Sequence, residues 1–255
     1  MTMRRSGPTN PAVRFEGQTV LKTSEPGQDP VETVEKLNPV AECGKRTATF
    51  VAPLAWVVDS ETIAMDRLSL GMPLQAVYAR FARAKPGIVD EGALAIFTAA
   101  GRALSSLHQH LRPAAQDLPA SGQLVWLHCD YGFSNLYCGE GGELVVLDPM
   151  PLPGTNESAW KAGERSSDLG MFVSCVIGRG GPSLLIRSKP ARSAQLLRCF
   201  LDAYGIDNRE LEKVFENART TTDEYFSNAK LSKRLLGPPI WRMRLFWVQK
   251  ELEKL

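Results

Sequence analysis

The stretch Leu127–Met150, LHCDYGFSNLYCGEGGELVVLDPM, limits the fold more tightly than any other part of the chain. Two apolar runs are punctuated by His128, Asp130, Asn135 and Asp148, and the pair Gly141-Gly142 lies between the runs. Two glycines tolerate positive φ at both central positions of a two-residue hairpin turn. A hairpin centred there pairs Cys138 with Val145 and Leu136 with Leu147, and brings Asn135 opposite Asp148. Directly opposed residues have Cβ atoms about 4.5–5.5 Å apart. The turn therefore predicts an amide oxygen and a carboxylate at one end of the hairpin.

Hard oxygen donors at that separation suit Mg²⁺, which takes one or two carboxylates together with substrate phosphates. Asp130 lies five residues before Asn135, in the loop DYGFSN, and a loop of that length can curl back to the same place. One acid is then available to accept a proton from a hydroxyl, and two groups can hold metal. That is the equipment of phosphoryl transfer, where positioning and charge neutralisation carry the catalysis. A single Asp or Asn at a strand end most often caps a turn. The joint spacing H-x-D-x-x-x-x-N, a hairpin, and an apolar strand ending in Asp is a much longer constraint.

The rest of the chain supplies two textures. Residues 12–70, within an N-lobe expected over 1–70, read as strand-rich, with a hairpin from AVRF and TVLK around Glu16-Gly17-Gln18 and β runs in FVAPLAWVVD and ETIAMDRL. Between them DPVETVEKLNPVA reads as a short helix, with Asp29 as N-cap and Pro30 at the first position. Residues 71–255 read as mainly helical, beginning with LQAVYARFARA and DEGALAIFTAAGRALSSLHQHL. The expected fold class is α+β, a small β-rich N-lobe on a larger helical C-lobe. A formal charge of +2 over 255 residues gives no argument for nucleic acid. No apolar run is long and uninterrupted enough for a membrane span, and no signal peptide is expected. Five cysteines without a C-x-x-C argue against a disulfide framework and fit a reducing cytoplasm.

HCDYGFSN followed by LVVLD resembles the catalytic and metal-binding segments of the aminoglycoside phosphotransferase and choline kinase group, small-molecule kinases with a bilobal protein-kinase-like fold. The resemblance implies that Asp130 is the catalytic base, that His128 supports its loop, and that Asn135 and Asp148 bind Mg²⁺. RSSDLGMFV is similar to the following helix start, whose acid, here Asp168, is mostly structural. In the N-lobe, Lys22 of TVLK corresponds to the lysine that contacts nucleotide phosphates, and Glu32 or Glu35 to its helix partner. AMDRL, with Met65 and Asp66, corresponds to the hinge beside the adenine, and SGPTNP from Ser6 to the phosphate-covering loop. Cys129 stands where the family usually has glycine. The implied donor is ATP or GTP with Mg²⁺, and the implied acceptor a small hydroxyl compound such as a sugar, aminoglycoside, amino alcohol or glycolipid. A nucleotide-binding pseudokinase with a regulatory or scaffold role is the alternative.

Other residues have simpler readings. His108 and His110 are two apart near a helix end, do not share a face, and are expected at the surface or in a cap. Cys129 is expected in extended backbone, where its neighbours point away and no cysteine–histidine relay forms. Trp241, Met243, Phe246 and Trp247 are expected to pack in the core or between lobes. Glu157, Glu164, Asp202 and Asp223 are scattered acids of the C-terminal half rather than a cluster built for a polycation.

Overall fold

A computed structural model describes residues 13–24, 29–83, 90–111, 124–147, 162–179, 189–227 and 231–255. The glycine-loop candidate SGPTNP, the metal-ligand candidate Asp148 and Glu157 lie outside the described residues.

The N-terminal part is a four-stranded antiparallel sheet in the order β1-β2-β4-β3, formed by β1 (Val13–Glu16), β2 (Thr19–Thr23), β3 (Ala55–Val57) and β4 (Thr62–Asp66). Gly17, at φ 59°, makes the β1–β2 turn that the sequence predicts. Helix α1 (Pro30–Thr47) crosses the sheet. Asp29 caps it through a bond from the Val31 N–H (2.8 Å) and Pro30 occupies its first turn, as expected, but the helix runs well past the predicted stop at Ala41. Propensity alone ends it early at Pro39. Packing keeps it going, because Val40 and Cys43 are buried beyond that proline. Asn38 clamps α1 to β3, donating to the Ala55 carbonyl (3.0 Å) and accepting from the Ala55 N–H (2.8 Å).

Two stripes of α1 face different cores. Leu37 packs with Ala55 and Ile63 in a small cluster under the sheet. Val40 and Cys43, with Phe50, belong to the principal core shared with the helices that follow. Val51 then pairs with the distant segment Leu144–Val146, donating to the Leu144 carbonyl (2.8 Å) and accepting from the Val146 N–H (2.9 Å).

After β5 (Met72–Pro73) come α2 (Leu74–Arg83), α3 (Glu91–His110), α4 (Ser166–Ser174), α5 (Pro190–Tyr204), α6 (Asn208–Ser227) and α7 (Leu231–Leu252). The strands β6 (Leu124–Trp126), β7 (Leu136–Cys138), β8 (Leu144–Val146) and β9 (Ala162–Glu164) lie between α3 and α4, with β6 paired to β9 and β7 joined to β5 and β8. Tyr78, Phe97, Phe133 and Phe172 form a chain of tilted and edge-to-face rings in the core, and Phe172 stacks on Phe200 at 3.8 Å. The C-terminal aromatics divide. Trp241 is buried, whereas Met243, Phe246 and Trp247 are about half exposed on the outer side of α7, contrary to the expectation that all four pack inside. The periodicity of α7 was broad enough to be read either way, and only one of its stripes meets α5 and α6. Among the described residues no helix is long and apolar enough to cross a membrane.

Candidate active site

The hairpin carrying Asn135 forms, in a register one residue away from the expected one. Leu136 pairs with Val146, Tyr137 with Val145 and Cys138 with Leu144. The loop holds three residues, Glu140-Gly141-Gly142, closed by Gly142 N–H to Gly139 O (3.0 Å) and Gly139 N–H to Glu143 O (2.7 Å). Gly142 alone takes positive φ (87°), the left-handed residue that completes a three-residue hairpin loop. A two-residue turn needs both glycines there. Asn135 consequently lies level with Leu147, whose N–H donates to the Asn135 carbonyl (2.9 Å), and not opposite Asp148.

The predicted approach of Asp130 to Asn135 is present, through the curled loop between them. The Asn135 amide donates from Nδ2 to the Asp130 carboxylate (2.8 Å) and to the Asp130 carbonyl (3.0 Å). The loop between them is tight: Gly132 N–H donates to Asp130 O (2.8 Å) and Asn135 N–H to Gly132 O (3.1 Å). Both residues are half-buried, so the carboxylate is held yet reachable. Both bonds described for the Asn135 side chain use its nitrogen. Its Oδ1 keeps the lone pairs of a hard oxygen donor, which fits Mg²⁺.

Around this pair the loop is fixed to the helices. The Tyr131 hydroxyl donates to the Ala100 carbonyl of α3 (2.7 Å), and burial pushes its phenol well above the ordinary tyrosine range. Phe133 enters the aromatic core. The His128 ring is buried edge-on to Tyr131, with centroids 5.3 Å apart. At the first turn of α4, Asp168 is 2% exposed and accepts from the His128 N–H (2.7 Å) and the Cys129 N–H (2.9 Å), the structural part assigned to it. Gly163 on β9 gives the Leu127 side chain its room, since a Cβ there would meet Leu127 Cδ1 at 2.5 Å and the leucine would have to shift.

Two expectations in this region are corrected. Cys129 is not extended: its φ is 66°, in the left-handed region that favours glycine. The expectation rested on alternation along a strand, but β6 has ended by this residue. His108 is neither a cap nor a surface residue. It is 3% exposed, with Nε2 at 3.1 Å from Asp168 Oδ2 and Nδ1 at 2.8 Å from the Tyr204 hydroxyl. His110 is exposed, as expected. The signal for His108 was available, because it follows Ala100 and Leu104 on the stripe of α3 that faces the core.

In the sheet, Lys22 pairs with Val13 and Ile63, so it shares their face, and Ile63 packs on Leu37 of α1. Lys22 therefore leaves the sheet on the side of α1. Glu32 is half-buried and Glu35 exposed on that helix. The reading of α1 passed over Lys36, which is 8% exposed and shares a stripe with Val40 and Cys43 of the principal core. Met65 is half-buried inside β4, and the Asp66 N–H is bonded to the Leu54 carbonyl (2.9 Å).

No protein-family model and no curated protein matches the sequence. Solved structures do. The chain is similar to a glucosamine kinase (TM-score 0.62, 14% identity, covering 99% of this chain and 80% of that one). It is similar to a choline/ethanolamine kinase family protein from Mesorhizobium loti (TM-score 0.54, 15% identity, 97% and 84%). It is also similar to an aminoglycoside-3'-phosphotransferase of type VIII (TM-score 0.52, 16% identity, 88% and 92%). With these neighbours and its own order of elements, the chain has the α+β, protein-kinase-like fold that small-molecule kinases share.

Proposed function

We propose that the protein is a small-molecule kinase that transfers the γ-phosphoryl group of a nucleoside triphosphate to a hydroxyl group. The observation that carries this reading is the Asp130 carboxylate held by the Asn135 amide, on a loop whose backbone is strapped by Asp168. In this reading residues 1–70 form the nucleotide lobe and residues 71–255 the catalytic and acceptor lobe. Asp130 orients the acceptor hydroxyl and takes its proton. The Asn135 bond orients the carboxylate for that task. Lys22 offers a cation to the phosphates, with Glu32 or Glu35 as its orienting partner, and Met65 and Asp66 border the base. Asn135 and Asp148 would hold Mg²⁺, which supplies charge neutralisation across the β- and γ-phosphates when bound. ATP is the preferred donor, supported by a structural neighbour described as a glucosamine kinase with glucosamine, ADP and inorganic phosphate.

For the acceptor, the C-terminal acids argue against a polycation. Glu164, Asp202 and Asp223 are each engaged by a basic side chain, Lys213, Arg198 and Arg242. We assign a neutral or singly charged hydroxyl compound, such as a sugar or amino alcohol, ahead of an aminoglycoside. The five free thiols fit a reducing cytoplasm. No observation favours the scaffold reading.

The test is Asp130→Asn, which keeps size and the hydrogen bond from Asn135 but removes the proton acceptor. Phosphate transfer from Mg-ATP to a panel of sugars and amino alcohols should fall roughly 10²–10⁴-fold, the usual worth of a positioned base. Nucleotide affinity by titration calorimetry should stay unchanged. A wild type that binds Mg-ATP and transfers to no acceptor, with Asp130→Asn indistinguishable from it, overturns the kinase reading.

A further inference from the structure

Asp168 does not hold the catalytic loop alone. Its Oδ2 accepts from His108 Nε2 (3.1 Å) as well as from the His128 N–H (2.7 Å). An ionised carboxylate can only accept, so His108 carries a proton on Nε2. At the other ring nitrogen, Nδ1 lies 2.8 Å from the Tyr204 hydroxyl at the end of α5. Burial raises the Tyr204 phenol well above its ordinary range, with the Arg165 cation opposing, so the hydroxyl keeps its proton. It can therefore donate to Nδ1 wherever that nitrogen carries no proton.

The result is one directed line of hydrogen bonds from Tyr204 O–H to His108 Nδ1, from His108 Nε2–H to Asp168, with the two loop amides converging on the same carboxylate. The line is dry: Tyr204 is 6%, His108 3% and Asp168 2% exposed. The charged groups nearest to it are Arg165, whose guanidinium lies 6.0 Å over the Tyr204 ring, and Glu210, which Arg165 grips through two nitrogens. Which imidazole nitrogen carries the proton is set by the hydrogen bond at the other. Here the Asp168 carboxylate sets it, and Tyr204 holds the opposite nitrogen and so fixes the plane of the ring.

We infer that Tyr204 is a positioning residue for phosphoryl transfer. By holding the His108 ring at Nδ1, it aims Nε2–H at the Asp168 carboxylate, hence fixes the backbone of His128 and Cys129, and hence the direction of Asp130. The effect on turnover rests on the kinase reading, whereas the effect on the loop does not. Phenylalanine fills the same space, so Tyr204→Phe deletes one oxygen and little packing.

The experiment uses the full chain labelled with ¹⁵N. Three readouts are compared between wild type and Tyr204→Phe: the His108 ring nitrogens, the backbone amides of His128 and Cys129, and kcat and KM for Mg-ATP. The wild type should show a single Nε2–H tautomer. Tyr204→Phe should keep Nε2–H but shift the Nδ1 resonance, move both amide resonances, and lower kcat about tenfold with KM within about twofold, the signature of an interaction lost in the transition state. Adding His108→Gln, whose amide can donate to Asp168 without help from Tyr204, should return both amides towards their wild-type positions. The inference is overturned if Tyr204→Phe leaves both amides unmoved, or if the added His108→Gln returns neither amide. If the wild type transfers no phosphate, the kinase reading falls by itself and the nitrogen and amide resonances alone decide whether Tyr204 sets the loop. Should Tyr204→Phe not fold, a single His108→Gln variant with unmoved amides supports the relay, and one with displaced amides refutes it.

Discussion

Replacing Cys129 with glycine should stabilise the protein, an unusual outcome for a residue next to the proposed base Asp130. Cys129 sits at φ 66°, where an L-residue brings its Cβ against the following carbonyl. That crowding costs roughly 1–2 kcal/mol, and glycine removes it. Glycine also frees the unfolded chain, which subtracts about 0.5–1 kcal/mol. The thiol contact to the Leu127 carbonyl is long, at 3.7 Å, and involves a weak donor. The Cys129 N–H bond to Asp168 is a backbone bond and survives the change. The balance is a gain of about 0.5–1 kcal/mol, or roughly 1–4 °C in Tm for a chain of this size. Thermal unfolding should be compared for wild type, Cys129→Gly and Cys129→Ala. Alanine keeps the Cβ and loses the sulfur, so it should match or fall below the wild type. A glycine variant that melts with or below the alanine variant refutes the strain argument. Loss of phosphate transfer in a folded, nucleotide-binding Cys129→Gly would instead give the sulfur a chemical part.

Asp168→Ala leaves two buried loop amides and His108 without their acceptor, and should cost about 3–5 kcal/mol in denaturant unfolding, the scale of a broken buried charge interaction; a cost below about 1 kcal/mol would contradict the anchoring described above. The hairpin register can be read from its two glycines. Gly142→Ala must hold a side chain at φ 87° and should lose about 1–2 kcal/mol, whereas a Cβ on Gly141 meets only the mobile Glu143 carboxylate and should cost within about 0.5 kcal/mol. Equal losses at the two positions would restore the two-residue turn.

The parts of the fold legible in the sequence were those governed by local chemistry. Asp29-Pro30 announced α1, Gly17 announced the β1–β2 turn, and the spacing from Asp130 to Asn135 announced a curled loop. What escaped notice was set by tertiary packing. A Gly-Gly pair fits two hairpin loops of different length, and the choice depends on how β8 docks against Val51 as well as on the turn. His108 reads as polar near a helix end until the partners on α4 and α5, 60 and 96 residues away, are brought to it. Lys36 likewise reads as the polar side of an amphipathic helix, because nothing local says that both sides of α1 are covered.

That double covering has a mechanical consequence. One stripe of α1 is cemented into the principal core through Val40 and Cys43, and Val51 is stitched by two backbone bonds to the hairpin that carries Asn135. The strands of the sheet rest on a far smaller cluster, Leu37 with Ala55 and Ile63, and on the Asn38 clamp. Helix α1 is thus the piece that ties the sheet to the loop bearing Asp130, with Asn38 as the joint. Amide exchange should accordingly be slow through the second half of α1 and fast along β1 and β2, with the gradient falling across Asn38.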